Sequence, residues 1–219
     1  MSIIVLLLMP LFVQGAGEHA VVRIPSHGAS ATVIYTGKGY SWLLGCGHAY
    51  EGKDATKKMQ FDIPCILPSG QVKIVGSILV KVDYKEDLSL VQLNEGPLDF
   101  VAPVAFDGWH EWNHRIISVG YDQMKLPATV KEAHILSEDA QRYYTTEKPI
   151  PGRSGGGLID SERGYLIGVC QGFEAGNKGR GLYINLPTVQ RFLRQAFNRP
   201  EPKKGTAPLQ PIWNPPGKT

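Results

Sequence analysis

Short apolar runs, many of them rich in β-branched residues, recur along most of the chain and are separated by Gly, Pro and Asp. Runs of this length, bounded by turn-forming residues, predict strands rather than helices. The pattern places them at 20–24, 31–35, 40–44, 58–63, 72–82 and 87–93, then at 115–119, 128–135, 142–146, 158–160, 165–170 and 181–184. Gly, Pro and Asp cluster between the two sets, around residues 97–108, and mark a seam. Many short strands at near-regular spacing, without an alternating helix, predict an all-β sandwich or barrel. One helix is expected, late in the chain. Val189, Phe192, Leu193 and Ala196 fall at i, i+3, i+4 and i+7, with Thr188 as the predicted cap.

Composition sharpens this picture at both ends. Residues 1–17 carry no charged side chain and centre on an apolar run from Ile3 to Val13. A membrane span needs about 20 apolar residues, so the run fits a secretory signal and predicts a secreted or periplasmic protein without stable membrane insertion. Residues 198–219 hold six prolines and few apolar side chains, which predicts an extended tail. The net charge of +3 is scattered rather than gathered on one face, which argues against nucleic acid as a partner. Three cysteines, Cys46, Cys65 and Cys170, cannot all pair within one chain.

The clearest chemistry lies in Pro151-Gly152-Arg153-Ser154-Gly155-Gly156-Gly157. A serine hydroxyl needs a neighbouring base to act as a nucleophile, and amide N–H groups to hold the developing oxyanion. Glycines let the backbone turn tightly enough to present such amides, here those of Gly152 and Ser154. All six histidines precede Ser154. That order excludes the α/β-hydrolase nucleophile elbow, although Gly-x-Ser-x-Gly is present, because that fold places its histidine after the serine. His48 follows the apolar Ser41-Trp42-Leu43-Leu44 and the small Gly45-Cys46-Gly47, so it emerges at a strand end. Asp87 opens Asp87-Leu88-Ser89-Leu90-Val91, where an acid beside a core strand can orient an imidazole while staying ionised.

Leu44-Gly45-Cys46-Gly47-His48, Asp87-Leu88-Ser89-Leu90 and Gly152-Arg153-Ser154-Gly155-Gly156 resemble, in order, the three triad blocks of the trypsin-like (chymotrypsin-fold) serine peptidases. The resemblance extends over about residues 20–197. It implies two packed six-stranded antiparallel β-barrels with a C-terminal helix, the first barrel in residues 18–105 and the second, with the helix, in 106–198. It further implies catalysis by His48, Asp87 and Ser154 on protein or peptide substrates, with no metal or organic cofactor. Gln171, Gly172 and Phe173 correspond to the strand that binds substrate backbone, and Gly181 to a pocket wall. Arg153 stands where animal trypsins carry the aspartate that traps a freed amino terminus. Closer likeness is therefore to bacterial trypsin-like and HtrA-like protease domains, which need no such switch; no segment after the helix reads as a PDZ domain.

Two other function classes stay open. A trypsin-like domain can serve as a non-catalytic module that binds extended peptides by strand addition. Separately, His110-Glu111-Trp112-Asn113-His114 fits the zinc-peptidase pattern H-E-x-x-H. That pattern works only on a helix, where both imidazoles share a face. Gly108 before it and Ile116-Ile117 after it predict a loop leading into a strand. Cys46 and Cys170 are expected as small buried hydrophobes, with a bridge between them the alternative.

Overall fold

The computed structural model describes residues 19–52, 60–66, 72–96, 98, 100–106, 108–109, 114–176 and 179–198. The expected leader at 1–17 and the tail beyond Asn198 lie outside them. Six strands form the first sheet: β1 (Val21–Ile24), β2 (Ala29–Gly37), β3 (Tyr40–Cys46), β4 (Gln60–Ile66), β5 (Val72–Asp83) and β6 (Leu88–Leu93). All neighbours are antiparallel, in the order β1-β2-β3-β6-β5-β4, and the sheet curls until edge strand β1 lies near edge strand β4. Pro64, which cannot donate to a ladder, falls on β4, where only one side is paired.

The second sheet comprises β7 (Ile116–Gly120), β8 (Thr129–Ala133), β9 (Ile135–Glu138), β10 (Arg142–Thr145), β11 (Gly157–Asp160), β12 (Tyr165–Phe173) and β13 (Gly181–Asn185). Its order is β8-β7-β11-β12-β13-β10-β9, so the two edges are consecutive in sequence. They are the halves of one run that bends at His134, pairing through β8 with β7 and through β9 with β10. A single continuous strand at 128–135 was the expectation from sequence. The bend makes seven strands where six were expected, and it draws the sheet's ends together, since a shared residue leaves little exposed edge.

Strands of the first sheet are apolar on both faces, and the two cores explain why. Successive side chains on a strand point to opposite faces. Accordingly Val22, Val33, Leu43, Val91 and Leu93 enter the interior of the first sheet. Their neighbours Val21, Ile34, Leu44 and Leu90 turn outward into a second core. That core also holds Val119, Leu158, Ile167 and Val169 of the second sheet, with Val189, Phe192 and Leu193 of the helix. Truncating a fully buried residue such as Leu43 or Leu44 to Ala costs roughly 2–5 kcal/mol.

The helix α1 spans Leu186–Ala196 and buries Val189, Phe192 and Leu193, the stripe expected from sequence. Its cap is Asn185 rather than Thr188. Asn185 Oδ1 accepts from the Thr188 N–H at 3.1 Å, and Pro187 sits in the first turn, where its missing N–H costs nothing.

Candidate active site

The strand register brings His48 and Asp87 together. β3 and β6 run antiparallel with Cys46 opposite Leu88. The residues just past the end of β3 must therefore meet those just before β6, although 39 positions separate His48 from Asp87. Asp87 adopts a left-handed backbone (φ 55°), which Asp tolerates better than most residues. Gly47 is needed for the approach: a Cβ there would stand 2.9 Å from the Asp83 carbonyl and 3.1 Å from the Leu88 nitrogen. The turn before Asp87 is tied at two points. Asp83 Oδ1 accepts from the Lys85 and Glu86 amides at 2.9 and 3.0 Å. Arg191 Nη2 on α1 donates to both Glu86 carboxylate oxygens at 3.0 Å.

The Asp87 carboxylate is buried and His48 is half-exposed. His48 Nδ1 lies 3.0 Å from each carboxylate oxygen, and its backbone N–H donates to Oδ1 at 2.7 Å. Hydrogen bonding to Asp87, and then to the adjacent Cys46 side chain, pushes the imidazole up to about 10, against the opposing effect of burial. Both residues line a cleft of 620 Å³ with Glu51, Gly52, Tyr84 and Gln171.

Ser154 reaches the same region from the second sheet. β11 pairs with β12 from Gly157 opposite Val169, and the Gly155 N–H donates to the Cys170 carbonyl at 2.7 Å. Ser154 is thereby set beside Gln171, and its Oγ points to the Gln171 carbonyl at 3.4 Å rather than hydrogen-bonding to His48. Neither the Gly152 nor the Ser154 N–H meets an acceptor among the described residues. The loop that carries them crosses to the first sheet. The Ser30 N–H donates to the Ser154 carbonyl at 2.8 Å, and Ser30 Oγ donates to the Gly152 carbonyl at 2.8 Å. Gly155 is required at that crossing, because a Cβ would fall 2.1 Å from the Ser30 carbonyl.

Of the residues expected to bind substrate, Gln171 lines the cleft. Past Cys170, the 171–173 stretch of β12 pairs with β13 on one side only, after a bulge between Cys170 and Gly172. Gln171 is held through its side chain by Arg142 Nε at 2.7 Å. Phe173 is exposed, with Lys148 Nζ 4.8 Å from its ring centroid. Gly181 is buried against the 145–149 segment, and a Cβ there would come 2.1 Å from the Glu147 carbonyl.

Arg153 is fully buried, which nothing in its local sequence announces. Nε and Nη2 donate to the two Asp122 carboxylate oxygens at 2.8 and 3.1 Å, and Nη1 donates to the Ser118 carbonyl and hydroxyl at 2.9 and 2.8 Å. Nη2 also donates to Thr129 Oγ1. Burial alone would lower the Arg153 pKa, but Asp122 and Glu147 outweigh it and the net direction is up. Asp122 moves down for the matching reason: Arg153 overcomes its desolvation.

Of the zinc pattern, His110, Glu111, Trp112 and Asn113 lie outside the described residues. His114 sits in a loop leading into β7, with Nδ1 2.8 Å from the fully buried Asp160 Oδ2. The same oxygen accepts from Trp109 Nε1 at 2.9 Å. Among the described residues no cluster of His, Cys, Asp and Glu could hold a metal ion. Cys46 and Cys170 are buried and unbridged. No described helix is long and apolar enough to cross a membrane. Sequence reasoning missed Ser30, Asp122, Glu51 and Tyr84, none of which stands in a motif.

Residues 29–169 match the family model of the trypsin-like peptidase domain. Among solved structures, the chain is similar to a serine endoprotease from Yersinia pestis (TM-score 0.65, 20% identity), covering 83% of this chain and 64% of that one. It is also similar to the HtrA-type protease AlgW, solved with a decapeptide (TM-score 0.59, 21% identity), covering 78% of this chain and 52% of that one. The chain thus spans less than two thirds of the length of either. No curated protein matches significantly.

Proposed function

Because the chain belongs to the trypsin-like peptidase domain family, we propose that it is a serine endopeptidase in which Ser154 is the nucleophile, His48 the general base and Asp87 its orienting acid. One observation carries this most directly: a buried carboxylate grips His48 beside a cleft, while the Gly152 and Ser154 amides meet no acceptor among the described residues. Ser154 Oγ attacks the peptide carbonyl and His48 Nε2 takes its proton, then passes it to the leaving amine. Asp87 holds Nδ1 and stabilises the imidazolium. The Gly152 and Ser154 N–H groups receive the oxyanion of each tetrahedral intermediate. Water, deprotonated by the same imidazole, attacks the acyl carbonyl; the ester bond to Ser154 breaks, and His48 returns the proton to Ser154 Oγ, so no cofactor is needed.

The free edge at Gln171, Gly172 and Phe173 suits an extended peptide that pairs as an added strand, with Gly181 behind it. Secreted or periplasmic action on protein or peptide substrates completes the proposal. The second reading, a peptide-binding module without turnover, draws on the Ser154 hydroxyl facing Gln171 rather than His48. Labelling of the wild-type chain by a fluorophosphonate, lost in Ser154→Ala, supports the peptidase. Peptide binding without labelling or cleavage supports the module instead.

A further inference from the structure

We propose that Arg153, its partly buried partner Asp122 and Ser30 of the opposite sheet form a built-in clamp that holds the Gly152 and Ser154 amides in their outward orientation, as positioning residues for the oxyanion. This rests on the peptidase proposal above and adds the device that sets its amides.

A trans peptide is planar, so its C=O and N–H point in opposite directions, and fixing the carbonyl fixes the amide. The Gly152 N–H belongs to the peptide whose carbonyl is that of Pro151, which accepts from the Gln123 N–H at 2.6 Å. The Ser154 N–H belongs to the peptide whose carbonyl is that of Arg153, which accepts from the Gly156 N–H at 2.8 Å. Both open amides are thus aimed by carbonyls held elsewhere. The first depends on the 121–124 turn staying against the loop.

That turn is pinned by the clamp. Asp122, next to Gln123, takes two hydrogen bonds from Arg153. Ser30 Oγ accepts from the Tyr121 N–H at 3.0 Å while donating to the Gly152 carbonyl at 2.8 Å, so one hydroxyl joins turn and loop from across the interface. The Arg153 guanidinium has five N–H donors, and Asp122, Ser118 and Thr129 accept all five. A buried arginine with every donor satisfied holds its partners firmly in place, and Glu147, 3.8 Å from Nε, adds a second negative charge beside it. Gly120 makes the route possible, since a Cβ there would stand 2.7 Å from Arg153 Cγ. Animal trypsins, by the resemblance above, recruit a freed amino terminus to an acid at this position. Here the cation stands on the loop itself and its acid comes from the neighbouring turn, so no chain end is needed.

The test compares full-length wild type with Ser30→Ala, Asp122→Asn and Arg153→Lys. Each is assayed for kcat and KM on one cleaved peptide, for affinity toward the matching peptide aldehyde, and for melting temperature. Ser30→Ala and Asp122→Asn are expected to lower kcat by about 10–100-fold with KM little changed, as small misplacement of catalytic groups does. Aldehyde affinity should fall in parallel, because the aldehyde adduct uses the same amides as the oxyanion. Arg153→Lys keeps the charge but not the fork, and should not rescue. Ser30→Ala removes one hydroxyl and remains informative if an Arg153 or Asp122 variant does not fold. A folded Ser30→Ala with unchanged kcat and aldehyde affinity overturns the clamp while the peptidase stands. A wild type that fluorophosphonate does not label removes the peptidase, and the clamp with it.

Discussion

His48 directs two nitrogens at one oxygen of Asp87: its backbone N–H at 2.7 Å and its ring Nδ1 at 3.0 Å both meet Oδ1. The backbone bond fixes where the carboxylate sits relative to the strand end, and the ring bond fixes the face of the imidazole turned toward it. With Nδ1 so engaged, Nε2 is the nitrogen left for the proton transfer proposed for His48.

Replacing Ser154 or His48 with Ala is therefore expected to lower turnover by roughly 10⁴–10⁶-fold, since members of such a set act as a unit. Asp87→Asn should cost somewhat less. Melting temperatures close to wild type would show that the loss is chemical. Ser154→Ala with near-wild-type turnover would remove the serine mechanism.

The pH dependence follows from the raised His48 value. A base must be deprotonated, so kcat/KM should climb as pH rises toward about 10, the value set chiefly by Asp87 and then Cys46. Asp87→Asn removes the larger cause and should move that limb to lower pH. For stability the sign is fixed by the folded value lying above the unfolded value of about 6.5. The contribution is fully present below about 6.5 and is lost as pH rises through about 10. It should be small, because the side chain is 42% exposed. A pH–rate profile with its limb at the same pH in wild type and Asp87→Asn would contradict the assignment of cause.

Gly155→Ala tests the crossing between the sheets. The glycine has φ 84°, and its Cβ would fall 2.1 Å from the Ser30 carbonyl. Left-handed strain and overpacking together should cost roughly 2–6 kcal/mol. Gly164→Ala, also at positive φ (71°) but with nothing near its Cβ, carries only the strain. Urea denaturation of the pair should therefore separate them, with Gly155→Ala the less stable; equal midpoints would deny the close approach.

His114 should matter for stability and not for turnover. His114→Ala removes the close Nδ1 contact with Asp160 Oδ2, which lacks hydrogen-bond geometry, and leaves that oxygen its hydrogen bond from Trp109 Nε1. The loss should be about 1 kcal/mol in urea unfolding, the usual size for a single substitution. kcat should be unchanged in this variant and in the wild type treated with a chelator. Inactivation by chelation that added zinc reverses would instead revive the H-E-x-x-H motif.

Local pattern and chain order carried a large part of this protein. Apolar runs bounded by Gly and Pro located the strands because side-chain alternation and turn chemistry are short-range properties. His48, Asp87 and Ser154 could be singled out because each stands in a distinctive block and the histidines all precede the serine. What the sequence could not disclose depends on residues far apart along the chain. Ser30 meets Tyr121 across 91 positions and Gly152 across 122, and a serine between two alanines gives no sign of either. The burial of Arg153 required an acid from the 122 turn, a position that reads locally as solvent-facing. The bend at His134 shows as a strand break only when β7 and β10 compete for the same run. The helix cap moved to Asn185 because a side chain must be placed within hydrogen-bonding reach of the first turn, which composition does not specify. Secondary structure and residue order were thus written locally, whereas the partners of Arg153 and of Ser30 were settled only when the two curled sheets packed. Hydrophobic burial chooses which faces meet, and that contact then decides which polar groups must satisfy one another.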